Sequence, residues 1–177
     1  MRYIALLRAV NVGGRKVQMA PLRAAVEALG FERVATYIAS GNLFFDAPRA
    51  SKQALTEQLE RGIRDAFGIE VPVILRTVAE VEAICALDPF GGVEVTDDVR
   101  LTVNFLAHSA PKLDVPATSP KGGYELVHLT PTEAFLVVHL QKGRWPNERW
   151  PEQVLGTSTT RFWHTTAKIL ETAKKGT

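Results

Sequence analysis

Apolar and polar positions along the chain follow two periods, and the switches between them mark out its elements. Tyr3 to Leu7 is apolar at every position and ends on Arg8, the pattern of a central strand covered on both faces. Leu22, Val26 and Leu29 then recur at helical spacing, with Pro21 suited to the first helical position and Gly30 to a C-terminal cap. Val34 to Ile38 is rich in strand formers, Ala39-Ser40-Gly41-Asn42 is a turn signal, and Leu43 to Asp46 reads as the returning strand. Ser51 is an N-cap in position for a helix through Leu55, Leu59, Ile63 and Phe67, which Gly68 ends. Val71 to Arg76 closes this stretch as a further strand.

The order strand, helix, strand, strand, helix, strand is the split βαβ, ferredoxin-like pattern. Its usual antiparallel strand order, 4-1-3-2, puts the end of the first strand beside the start of the third. Arg8–Asn11 are therefore expected next to Ser40–Asn42.

Thr77-Val78-Ala79-Glu80 is a capping-box pattern opening a helix to about Leu87. Asp88 to Asp98 reads as loop. Val99, Leu101, Val103 and Phe105 alternate with Arg100, Thr102 and Asn104, which predicts a half-buried strand. Residues 110–123, with three prolines and two glycines, are irregular or a short helix. Tyr124–Leu129 and Phe135–Leu140 are two more strands, and a last helix runs from about Thr165 to Lys174. Arg144-Trp145-Pro146 and Arg149-Trp150-Pro151 are too short to make a repeat. The prediction is an α+β protein with a ferredoxin-like βαββαβ lobe over residues 1–76 and a second, smaller α+β lobe over 77–177, packed on the first.

Composition narrows the setting. With 177 residues, 46% hydrophobic and 23% charged, the chain can bury a core and is not of disordered type. A single cysteine, Cys85, excludes an internal disulfide and suits a reducing compartment; beside Ile84 it reads as an inert buried thiol. There is no apolar run near the ~20 residues that span a bilayer and no signal-type cleavage site after Met1, so a cytoplasmic protein is expected. Residues 1–76 hold 11 Lys+Arg against 7 Asp+Glu, a net +4; residues 77–177 hold 10 against 12, a net −2. The first half therefore leans toward anionic partners.

Leu6-Leu7-Arg8-Ala9-Val10-Asn11-Val12-Gly13-Gly14 resembles the opening motif of a bacterial family, domain of unknown function 1697, whose usual form is Leu-Leu-Arg-Gly-Ile-Asn-Val-Gly-Gly. The likeness continues through Met19, Leu22, Leu29-Gly30-Phe31, Thr36-Tyr37-Ile38 and Ser40-Gly41-Asn42. It returns at Thr159-Thr160-Arg161-Phe162-Trp163-His164-Thr165 and Lys168, where the family pattern is Thr-x-Arg-Asn-Trp-x-Thr followed by a lysine. Ala9 stands where that pattern has glycine, and Phe162 where it has asparagine. The resemblance implies a two-lobe α+β protein and no particular reaction.

Candidate chemistry gathers at the first strand's end. Gly13-Gly14-Arg15-Lys16 offers backbone N–H groups and cations to an anion, but lacks the P-loop spacing and the dinucleotide fingerprint; a tight turn is the alternative. Arg8 ends an apolar strand, where its charge serves either a cleft or a structural pair. Asn11 and Asn42 are either ligand-orienting amides or turn residues, and Ser40 lacks a histidine nearby in sequence to activate it. Arg161 and Lys168 belong to a second polar group that either folds back over the first lobe to complete an anion site or, for Lys168, is solvated on a helix surface, with Trp163 in the core. His108, His128, His139 and His164 have no metal-ligand spacing, and Asp97-Asp98 reads as a solvated turn.

The leading expectation is a small anionic ligand bound between the lobes by Arg8, Asn11, Gly13, Gly14, Ser40, Asn42, Arg161 and Lys168, with catalysis and cofactor unassigned. Nucleic-acid binding and a purely structural or interaction role are the alternatives.

Overall fold

The computed structural model describes residues 1–11, 13 and 16–175 as an α+β protein with two antiparallel sheets and five helices. The chain divides into two compact units, Met1–Ile84 with Ala167–Thr177, and Cys85–Thr166.

The first unit carries β1 (Arg2–Leu7), α1 (Met19–Glu27), β2 (Glu32–Tyr37), β3 (Asn42–Asp46), α2 (Lys52–Phe67) and β4 (Val73–Thr77). Its sheet order is β2-β3-β1-β4 with every neighbour antiparallel, the 4-1-3-2 order expected from the sequence, read from the other edge. All six residues of β1 are buried, as an apolar run flanked by two strands requires. Tyr3, Ala5 and Leu7 face a core built with Leu43, Phe45, Leu75, Leu22 and Val26 of α1, and Leu55, Leu59 and Ile63 of α2. Arg2 lies on the opposite face, buried, donating to the carbonyl of Arg33 at 2.7 Å with its guanidinium 6.0 Å from the Phe44 ring centre. Ser51 caps α2 by accepting from the Ala54 N–H at 3.1 Å, and Gly68 ends it at φ 67°. Helix α1 starts at Met19, two residues ahead of Pro21, which still falls in the first turn where a missing N–H costs nothing.

The second unit carries β5 (Val99–Leu106), β6 (Ala117–Thr118), β7 (Tyr124–Leu129), β8 (Glu133–His139), α4 (Trp150–Leu155) and β9 (Ser158–Phe162), in the sheet order β6-β7-β8-β5-β9. Leu106, Tyr124, Leu126, Leu136, Val138 and Leu155 form a core on one face. On the other, Trp163 meets Phe90 and Phe135 edge to face, with centroids 5.6 and 5.8 Å away. The sequence assigned no element to Trp150–Leu155 or Ser158–Phe162. It also predicted a half-wet β5, but Thr102 and Asn104 are buried. Strand β5 lies between β8 and β9, and its polar side chains are satisfied there: Thr102 Oγ1 donates to the Leu136 carbonyl and Asn104 Nδ2 to Ser158 Oγ, both at 3.3 Å.

Two helices span the division between units, α3 (Val78–Ala86) and α5 (Trp163–Lys175), so the break falls after Ile84 and not after Arg76. The reason is local. Thr77 and Glu80 cap α3 reciprocally: the Thr77 N–H donates to Glu80 Oε2 at 2.8 Å and the Glu80 N–H to Thr77 Oγ1 at 3.2 Å. Lys52 of α2 pairs with Glu80, and Lys174 of α5 with Glu82, which holds both helices to the first unit. Cys85 at the edge of this helix is half-buried, less enclosed than the sequence suggested, because Val81 and Ile84 form its buried stripe.

Burial alone pushes the Glu80 carboxyl up, but its bonds to Lys52 and Thr77 outweigh that and hold it below the ordinary 4.5. A lowered folded-state value means the stabilisation is complete above pH 4.5 and fades as pH falls below it. Thr77→Ala is expected to cost about 1 kcal/mol, a fall in Tm of about 2–4 °C at neutral pH. Glu80→Gln should cost stability at pH 7 and progressively less as the pH drops below 4, as followed by thermal unfolding. A pH-independent difference would rule out the charged cap.

Candidate functional site

At Leu7 the central strand leaves the sheet between two loops. The Leu7 N–H donates to the Gly41 carbonyl at 2.8 Å, on the β3 side, and the Arg8 N–H to the Pro72 carbonyl at 2.9 Å, on the β4 side. Ala9, Asn11 and Gly13 then take left-handed conformations at φ 55°, 58° and 60°. A left-handed conformation costs roughly 1–2 kcal/mol for each side chain that has a Cβ.

Asn11 offsets that cost. Its Nδ2 donates to the carbonyls of Val17 at 3.1 Å and Ala39 at 2.7 Å, while its Oδ1 accepts from the Val17 N–H at 2.7 Å. The two-point contact with Val17 imitates a backbone pairing and fixes the approach to α1. The bond to Ala39 ties the same loop to the turn between β2 and β3. Arg8–Asn11 and Ser40–Asn42 thus lie together as the strand order required, with Leu6 in register with Asn42.

The facing turn is equally constrained. Gly41 has φ 83°, and a Cβ there would lie 2.9 Å from the Leu7 Cβ and 3.4 Å from the Val10 Cβ, so only glycine fits without displacing the strand. Asn42 is fully buried; its Nδ2 donates to the Tyr37 carbonyl and to Ser40 Oγ, both at 3.0 Å. Its amide orients Ser40 and is not presented to solvent. Around these struts, Asn11, Gly13, Lys16 and Ser40 are exposed and Arg8 is half-buried. Gly14 lies outside the described residues.

Arg161 belongs to the second unit and Lys168 to the first, and each is described within its own unit. Arg161 is 7% exposed on β9, donating from Nη1 to Thr159 Oγ1 at 2.9 Å and to the Thr160 carbonyl at 2.8 Å. Burial pulls its pKa down to about 10, which leaves it charged at neutral pH. Lys168 is exposed on α5 and bonded to Glu171 at 2.9 Å, a contact that raises its pKa first, with Tyr37 at the end of β2 adding to the rise. Glu171 also bonds Lys175 at 2.7 Å, and the two lysines hold its carboxyl down to about 2. Tyr37 and Glu171 are neighbours of the candidate site that the sequence reading passed over. The Lys168-x-x-Glu171-x-x-x-Lys175 spacing was the available signal. Among the described residues, no group of three or more His, Cys, Asp or Glu side chains is arranged to hold a metal. No helix there is long and apolar enough to cross a membrane.

Fold and loops together define a two-unit α+β protein whose first strand ends in a locked double turn. Residues 1–135 match the family described as Protein of unknown function (DUF1697), and the chain belongs to that family. It is similar to the solved structure of the conserved bacterial protein SP0830 from Streptococcus pneumoniae, at 24% identity over 98% of each chain with a TM-score of 0.70. At that identity the likeness concerns the fold. No curated protein matches the chain.

Asn11→Ala is expected to destabilise the protein by about 1–3 kcal/mol, since it removes three hydrogen bonds and keeps a left-handed residue with a Cβ. Asn11→Gly loses the same bonds but relieves the backbone, so it should be the milder variant by about 1 kcal/mol. Urea unfolding measures both. An alanine variant within about 0.5 kcal/mol of wild type would show that the amide is not what holds the loops.

Proposed function

We propose that the double turn at the end of β1 binds a small anionic ligand, with Arg8 as the recognising charge and Ser40 and the Gly13 backbone as hydrogen-bonding groups. The observation that carries this reading is the Asn11 clasp, which places Arg8 and the exposed Ser40 at one strand end and spends its own energy on positioning. Preorganised loops bind without a further ordering cost, which favours small ligands. Asn11 and Asn42 are positioning residues in this account: one joins the loops and the other aims Ser40. Lys168, near Tyr37, supplies a second cation on the first unit. Arg161 is left out, because its guanidinium serves its own strand.

The βαββαβ order and strand arrangement support a ferredoxin-like description of the first unit. Its sheet does not suit the nucleic-acid alternative: β1 is buried throughout and β3 nearly so, whereas a base-stacking sheet needs an open face. A single cysteine, the half-buried Cys85, fits a reducing compartment and supports a cytoplasmic location. The bacterial origin of the similar structure supports a bacterial protein.

Thermal shift with inorganic phosphate, sulfate and small dicarboxylates tests the site. A ligand at 100 times its Kd should add about 2.7 kcal/mol, raising Tm by about 5–10 °C. Arg8→Ala should abolish the shift and Arg8→Lys retain part of it. If Arg8→Ala keeps the full shift while its own Tm falls by several degrees, Arg8 is a strut and the reading fails.

A further inference from the structure

We propose that the exposed ring stack Trp145–Phe162–His164 on the second unit, flanked by Arg144 and Lys142, is a stacking surface for single-stranded nucleic acid. This site is separate from the double turn at the end of β1.

The surface follows from the alternation of β9. Thr159 and Arg161 turn to the buried side, so Thr160 and Phe162 turn outward on a strand that forms the edge of its sheet. Phe162 is 39% exposed and Trp145 46%, two of the largest apolar side chains left in solvent, and they touch. Their centroids are 6.0 Å apart at 71°. His164 also stacks on Phe162, with centroids 5.5 Å apart and only 10° from parallel. Trp163 between them points the opposite way, into Phe90 and Phe135, so three consecutive aromatic residues are divided between core and surface. A base laid on the outer face of His164 would continue a stack that the protein has already begun.

The platform is rigid. Glu148 accepts from Ser119 Oγ at 3.0 Å and from the N–H groups of Lys121 at 3.1 Å and Gly123 at 3.0 Å, which staples the 145–148 segment to the β6–β7 turn. A Cβ at Gly123 would lie 2.5 Å from the Pro146 Cβ, so the segment sits directly on that turn. Trp145 is thereby held in place before any partner arrives.

Charge selects the partner. Gln141 and Arg144 exchange backbone hydrogen bonds at 2.8 and 3.1 Å around Lys142 and Gly143, a tight turn that leaves the Lys142 and Arg144 side chains exposed next to Trp145. The one acid between residues 141 and 149, Glu148, is engaged by the β6–β7 turn. Flat rings with exposed cations close by in the chain suit bases joined by phosphates, and every base has a face to offer. On rings this exposed one stacked base is a weak contact, so a strand that places several bases and phosphates along the surface fits better than a mononucleotide. Duplex bases are already stacked inside their helix and cannot use the rings.

Fluorescence anisotropy of the full chain with a labelled single-stranded 12-mer, in RNA and DNA forms, at 50 mM salt and above, tests the proposal. Saturable binding is expected, stronger than to the matching duplex and weakened by Phe162→Ala or Trp145→Ala about 5- to 150-fold. Arg144→Gln should lower the slope of log affinity against log salt by about one. Equal affinity for duplex, or variants that bind like wild type, would overturn it. So would no saturable binding at 50 mM salt, or a neutral oligosaccharide that quenches tryptophan fluorescence where the 12-mer does not. Should Phe162→Ala lose its cooperative melt, Trp145→Ala and the exposed Arg144→Gln decide the matter alone.

Discussion

One side-chain amide holds together the end of the first unit where β1 leaves its sheet. Asn11 makes three hydrogen bonds that join the exit of β1, the approach to α1 and the turn between β2 and β3. Without such a clasp, a chain leaving a fully buried strand through three left-handed residues would have many conformations of similar energy. The neighbouring constraints depend on it: Gly41 can lie against Leu7 only because the two loops meet, and Asn42 aims Ser40 only because that turn is fixed. The left-handed alanine at position 9 also makes sense in this setting. Glycine, the usual residue of the family's motif there, adopts that conformation without strain, and the clasp holds alanine in it.

Much of this was legible in the sequence because local and global signals agreed. The buried run of β1, the Ser51 cap, the Gly68 stop and the Thr77–Glu80 box each named an element that packing then used. The strand order followed from the element order, and with it the meeting of Arg8–Asn11 and Ser40–Asn42. What escaped notice were elements whose cause is tertiary. Ser158-Thr-Thr-Arg-Phe162 has little apolar pattern and is a strand because β5 offers it an edge. Helix α4 is a six-residue turn opened by Trp150-Pro151, too short to show a period. The alternation of β5 promised a wet face; hydrogen bonds to Leu136 and Ser158 made that face a dry one.

The surroundings of Arg161 and Lys168 carry a similar lesson. Seven residues apart and close to a helix start, they read as one polar group. Each has its own local setting: Arg161 alternates inward on β9, and Lys168 lies on the solvent face of α5 beside Glu171. A buried guanidinium bonded to its own strand does a structural job. The same alternation turns Phe162 outward, so the position that departs from the family's motif is the one that gives the second unit its exposed ring stack. Each unit therefore has a distinctive feature where a strand ends: a locked polar turn in the first, exposed stacked rings in the second.

Amide chemical shifts followed during a phosphate titration of the 15N-labelled protein test the central claim most directly, since they report which backbone groups meet the anion. A bound phosphate should give saturable changes concentrated at Gly13, Ser40 and Gly41, with the Arg8 side-chain resonance moving at the same apparent Kd. Changes scattered over surface lysines that do not saturate, or a saturable set elsewhere in the chain, would contradict it.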